Sequence, residues 1–260
     1  MKPSVLILHA TGTNRDFDVA EAFTTAGANP EIVHINQLKS GEKHWKNYQI
    51  LVLAGGFSYA DALGAGKLLS IDLKTYFLDE IRAFIQQKKA VIGICNGFQT
   101  LVKSGLIFED ENSEKQINGT LTFNQSGHFE CRWVTLAATT EHCIWVKKNQ
   151  PLIECPIAHG EGNFVLENPA EIQRLISSGM VALRYTNPQG QAAQGQYPEN
   201  PNGSMDDIAG ICNPAGNVLG LMPHPENNIY GYQHPQRTRI ATFPTGLEIF
   251  KNGVNYAKEQ

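Results

Sequence analysis

Cys95 stands in Gly93-Ile94-Cys95-Asn96-Gly97-Phe98-Gln99, directly after an apolar run and directly before a helical pattern that stops at Ser104-Gly105. A nucleophile between strand and helix, with a small residue two positions to either side, has the pattern of a nucleophile elbow. The glycines leave room for a sharp, strained turn that lifts the side chain to the top of a sheet. The same turn sets the sulfur at a helix N-terminus, where the helix dipole favours negative charge. The thiolate is the competent nucleophile. A buried cysteine is more often just a small apolar side chain, and Cys131, Cys143, Cys155 and Cys212, which lack the frame, read that way.

A cysteine nucleophile needs a base, and the base needs a group to orient it. Of eight histidines, His224 stands out, in Met222-Pro223-His224-Pro225-Glu226. It follows a strand-like run, and the prolines restrict the backbone on both sides. In an extended segment residues i and i+2 share a face, so the carboxylate of Glu226 can hold the imidazole and set its tautomer. Alone, a His-x-Glu pair is equally a polar surface loop; beside the elbow it gains meaning. An oxyanion needs donors. Gly55-Gly56 can offer backbone N–H groups with no side chain in the way, and the N–H of Asn96 is the natural second donor. On their own the two glycines are equally a plain turn.

These residues need elements that bring them together. The first half of the chain alternates short apolar runs with helical stripes. Strands are expected near residues 5–9, 31–35, 50–54 and 90–94, with a helix over 15–26 and a long helix over 71–88 carrying Leu73, Phe77, Ile81, Phe84 and Ile85 on one stripe. Such alternation predicts a mostly parallel sheet covered on both faces. In such sheets ligands bind beyond the carboxyl ends of the strands, which is where Gly55-Gly56 and Cys95 fall. Residues 119–164 have a different texture and predict antiparallel pieces at 120–123, 131–136 and 143–146. Further on, the patterns predict a short helix at 171–178, a strand at 181–185, a surface loop over 187–204, a hairpin of 208–212 with 218–222, and a closing helix at 244–257. No repeat or linker interrupts the chain, so residues 1–260 read as a single domain.

The bulk numbers bound the partners. The chain has 260 residues, 42% hydrophobic and 18% charged, with a net charge of −4. This is globular composition without a basic field to recruit nucleic acid or a membrane surface. No apolar run approaches the ~20 residues of a membrane span. Five widely spaced cysteines without a C-x-x-C pair disfavour a disulfide framework or a metal site and fit a reducing cytoplasm.

With both motifs in view, the chain resembles the class I glutamine amidotransferases. The runs Gly55-Gly56-Phe57-Ser58-Tyr59-Ala60-Asp61-Ala62-Leu63-Gly64-Ala65-Gly66, His159-Gly160-Glu161-Gly162-Asn163-Phe164 and Asn200-Pro201-Asn202-Gly203-Ser204 narrow the resemblance to the glutaminase subunits of phosphoribosylformylglycinamidine synthase. It extends over nearly the whole chain. The resemblance implies a flavodoxin-like three-layer α/β sandwich with an added antiparallel β segment and a Cys95-His224-Glu226 triad. It implies L-glutamine as substrate, with Phe57 and Gln99 in the glutamine pocket and His159 and Glu161 toward a partner. It also implies a separate synthase subunit, often with a small bridging subunit, that receives the ammonia. ATP and Mg are expected on that synthase, with no cofactor or metal in this chain. Two residues depart from the family pattern: Ala60 stands where glycine is usual, and Asn227 where an arginine usually follows Pro-Glu. A stand-alone Cys-His hydrolase of the same fold, an inactive assembly subunit and a glutaminase serving another synthase are the competing readings.

Overall fold

The computed structural model describes residues 1–109, 117–239, 241 and 243–260. The strands are β1 (Ser4–His9), β2 (Asn29–His34), β3 (Ile50–Leu53), β4 (Ala90–Ile94), β5 (Gly119–Thr122), β6 (Glu130–Ala138), β7 (Ile153–His159), β8 (Asn163–Leu166), β9 (Val181–Thr186), β10 (Ile208–Cys212) and β11 (Val218–Leu221). The α-helices are α1 (Asp16–Thr25), α2 (Ile35–Lys39), α3 (Lys67–Tyr76), α4 (Leu78–Gln86), α5 (Asn96–Ser104), α6 (Ile172–Ser177) and α7 (Leu247–Glu259).

Nine strands form one mixed sheet in the order β2-β1-β3-β4-β11-β10-β9-β6-β7, and β5 pairs with β8 in a small separate sheet. The half from β2 to β11 is parallel. From β11 outward the pairings are antiparallel. This is the expected flavodoxin-like α/β architecture, with the antiparallel part continuing the sheet. β3 and β4 are buried at every position, so both faces of the parallel half are covered. Helices α1 and α7 pack on each other, α1 against β1 and β2 and α7 against β3 and β4. Helix α5, with α3 beside it, packs against β3, β4 and β11.

Three expectations need correction. The long helix is two helices. Its stripe is buried except for the half-buried Ile85, but Phe77 leaves the helical region (φ −140°, ψ 16°) and α4 restarts behind it with Asp79 and Glu80 in its first turn, where negative charge suits a helix N-terminus. Phe77 turns its ring onto Trp45, centroids 5.4 Å apart. Residues 143–146 form no strand. They are a buried turn in which the Trp145 indole N–H donates to the carbonyl of Asn217. Finally, β2 ends one residue before Ile35, and His34 caps the short α2.

Candidate active site

Three strand ends converge. Gly55 and Gly56 follow β3, Cys95 follows β4, and His224 lies just beyond β11. Because β4 pairs in parallel with both β3 and β11, the three ends lie side by side at one edge of the sheet. The register is locked at Cys95 itself, since its N–H donates to Leu221 O at 2.8 Å.

Cys95 has φ 51° and ψ −104°, a conformation that L-residues avoid. The flanking glycines explain how the chain holds it. A Cβ on Gly97 would sit 1.9 Å from Leu53 O, and one on Gly93 would sit 2.7 Å from Gly97 O. The elbow is wound so tightly onto β3 and onto itself that only glycine fits at either place. Cys95 is 5% exposed, and its Sγ lies 3.8 Å from Ala158 O.

His224 and Glu226 are buried, and Nδ1 of His224 is 2.7 Å from Oε1 of Glu226. In that bond Nδ1–H donates to the carboxylate, which leaves Nε2 for the other side. Cys95 is near enough for its charge to act on the same imidazole. Burial alone would pull the imidazolium down. The charges of Glu226 and Cys95, with the hydrogen bonds to both, outweigh it and push His224 up to about 10. The backbone N–H of His224 donates to Pro156 O at 2.8 Å, so the edge of β7 steadies His224 through Pro156 and touches Cys95 through Ala158.

Gly55 lies against the imidazole, and Gly56 has φ +137°. Among the described residues, neither the N–H of Gly56 nor that of Asn96 donates to a protein acceptor. Both are therefore available to an incoming oxygen.

The structure spreads the remaining sequence candidates around this centre. Phe57 is partly exposed, and its N–H is bound by Gly12 O at 3.0 Å. Gln99 is buried and its amide is engaged: Nε2 donates to Glu161 O at 2.6 Å, and Oε1 accepts from Asn96 Nδ2 at 3.3 Å. Glu161 is turned inward as well. Its carboxylate takes the N–H of Ala65 at 3.1 Å and Lys103 Nζ at 3.0 Å. His159, expected to face a partner, does not reach the surface. It is 3% exposed, with Nδ1 3.1 Å from Asn124 Oδ1, and burial together with the nearby charge of His224 pulls it down to about 3. Sequence reasoning gave no role to Ser58, Asp61 or the carbonyls of Pro156 and Ala158. The first two lay in a quoted motif. The carbonyls belong to β7, which was not anticipated.

No group of three potential metal ligands occurs among the described residues. No helix there is long and apolar enough to cross a membrane.

Residues 2–257 match the CobB/CobQ-like glutamine amidotransferase domain. The chain belongs to this family. The amidotransferase is 51% identical over 273 residues to phosphoribosylformylglycinamidine synthase subunit PurQ of Treponema denticola, covering 98% of this chain and 99% of that one. It is 39% identical over 261 residues to the PurQ subunit of Dehalococcoides mccartyi, covering 99% of both. Among solved structures, the amidotransferase superposes on a chain of PurLQS from Thermotoga maritima with a TM-score of 0.75 at 29% identity, covering 98% of this chain and 99% of that chain.

Proposed function

We propose that this chain is the glutaminase subunit of a phosphoribosylformylglycinamidine synthase, in which Cys95 releases ammonia from L-glutamine for a separate synthase subunit. One observation carries the reading: at the strained elbow, Cys95 is near enough to act on the His224 imidazole, whose Nδ1 is held by Glu226 at 2.7 Å. Full-length likeness to PurQ subunits supports the choice of synthase.

In this mechanism Cys95 Sγ attacks the side-chain carboxamide carbon, and the carbonyl oxygen becomes an oxyanion. The amides of Gly56 and Asn96 are the donors at hand. Collapse expels ammonia, which takes its proton from His224 as it leaves. The electrostatics suit the two halves of the cycle. While Cys95 is a thiolate, its charge helps keep His224 protonated and ready to act as an acid. Once the thioester forms, that charge and its hydrogen bond are gone, so the imidazole loses protons more readily and can take one from the attacking water. Glutamate then leaves and the thiolate returns.

The ammonia passes to the synthase, whose ATP and magnesium drive conversion of formylglycinamide ribonucleotide to formylglycinamidine ribonucleotide. A small bridging subunit completes the assembly. Glutaminase activity of the chain alone is expected to be weak and to rise when synthase and nucleotide are added, because active-site hydrogen bonds often tighten only in the working complex. The test is covalent trapping with an electrophilic glutamine analogue and mapping of the labelled residue. Label on Cys95, with glutaminase activity lost in Cys95→Ala, supports the proposal; undiminished activity of Cys95→Ala overturns it.

A further inference from the structure

The amide of Asn96 can serve an oxyanion only if its peptide plane is held in one orientation. That plane is set by ψ of Cys95, which sits at −104° beside a φ of 51°. A peptide next to so strained a residue tends to relax by rotating, so something must hold Asn96 in place. Its side chain is 2% exposed and anchored by three partners. Ser58 Oγ donates to Oδ1 at 2.5 Å. The two hydrogens of Nδ2 go to Asp61 Oδ1 at 2.9 Å and Gln99 Oε1 at 3.3 Å. Of these acceptors only Asp61 is a carboxylate, and bonds to charged acceptors are the stronger kind.

We propose that Asp61 is a positioning residue for the reaction, holding the backbone donor of Asn96 in line through the buried Asn96 side chain.

Asp61 is placed for this by its own loop. Residues 57–66 leave directly from Gly56, so one segment carries the first donor and steers the second. The loop is wound through left-handed conformations at Tyr59, Ala60, Asp61 and Leu63 (φ 54°, 57°, 52° and 67°). Such a path is retained only where its surroundings enforce it. Here Tyr59 N–H donates to Thr11 O at 2.7 Å, Tyr59 hydroxyl donates to Asp72 at 2.5 Å, and Gly64 N–H donates to Asp61 O at 2.8 Å. At the far end, Glu161 and Lys103 clamp Ala65 through its N–H and its carbonyl. The strained loop and the strained elbow meet at Asn96, whose side chain is held by Ser58 on one atom and by Asp61 on the other.

This inference rests on the glutaminase reading. Its test compares Asp61→Ala, Asp61→Asn, Asn96→Ala and the double variant D61A/N96A, each alone and with the synthase subunit. Three readouts are followed: kcat and KM for glutamine hydrolysis, the rate of Cys95 alkylation by iodoacetamide, and thermal stability. Alkylation needs the thiolate but passes through no oxyanion, so it separates donor alignment from general damage to the site. Asp61→Ala is expected to lose about 100-fold in kcat, the scale of a lost or misplaced oxyanion donor, with KM and alkylation within about twofold of the parent. Asp61→Asn, which restores a neutral acceptor, should recover roughly tenfold, in line with the weaker neutral bond. Asn96→Ala should match Asp61→Ala, and the double variant should be no worse than either, since the two act as one unit. Parent-like kcat in Asp61→Ala, alkylation falling in step with kcat, or losses that multiply in the double variant would each overturn the proposal. A parent that hydrolyses no glutamine, alone or with the synthase, overturns the glutaminase reading and this proposal together.

Discussion

Gly55 lies flush against His224: a Cβ built on Gly55 would fall 2.7 Å from Cε1 of the imidazole. The glycine therefore does more than free a backbone amide. It leaves the space in which the base stands. In Gly55→Ala the ring must leave its place, and misplacement of a reacting group by about 1 Å can cost roughly 100-fold. We expect kcat for glutamine hydrolysis to fall on that scale, read by steady-state kinetics, with a stability loss of about 1–3 kcal/mol from overpacking.

The proton on His224 should be unusually hard to remove. Its folded-state pKa of about 10 lies above the ordinary imidazole value. The resulting stabilisation is complete below pH ~6.5 and is lost as pH rises through about 10. An NMR titration of the imidazole should place its midpoint far above neutrality in the parent and lower in Glu226→Gln and in Cys95→Ala, each of which removes a group that favours the charged ring. Denaturation between pH 6 and 10 should show the stability gap between parent and Glu226→Gln narrowing as pH rises.

Ala60 occupies a left-handed position, φ 57° and ψ 24°, where a Cβ is unfavourable. Ala60→Gly relieves that strain. Chemical denaturation should show a gain of about 1 kcal/mol, with kcat close to the parent because the hydrogen bonds of Asp61 are unchanged.

Gly97 has no such latitude. A methyl group there would meet Leu53 O at 1.9 Å, a backbone atom of the central strand β3. Gly97→Ala should cost about 3 kcal/mol or more, since neither neighbour can move without distorting the sheet. Thermal melting would record the loss, and glutaminase activity would fall with it even though no catalytic group is touched.

Several features were readable from residue order because they depend on local chemistry. The elbow needs glycines at 93 and 97, and both are explained by backbone clashes within a few residues or on the next strand. The His224–Glu226 pair is joined by the 2.7 Å bond, but across the start of a 3-10 turn at Pro225–Asn228 and not along the extended segment that the sequence suggested. The stop at Gly105 is a left-handed helix cap. Where reading failed, a distant contact overrode the local pattern. The helix stripe through Phe77 is continuous in sequence, yet packing on Trp45 breaks the axis there. β7 was hidden by Pro156, which disrupts a strand pattern. The proline is tolerated because β7 is the outermost strand of its sheet. His159, beside Gly160-Glu161-Gly162, looked like part of an outward turn. It is instead the last inward position of β7, after Ile153, Cys155 and Ile157.

The sequence by itself determined which residues have the chemistry and the backbone licence for it: the nucleophile in its glycine frame, the proline-flanked histidine and the carboxylate two residues on. Only the tertiary structure decided their meeting, because that depends on β11 pairing in parallel with β4, a register between segments far apart in the chain. The same holds for Asp61 beneath the elbow and for the burial of His159. Local pattern encodes what a side chain can do, whereas long-range strand order and loop closure decide what it faces.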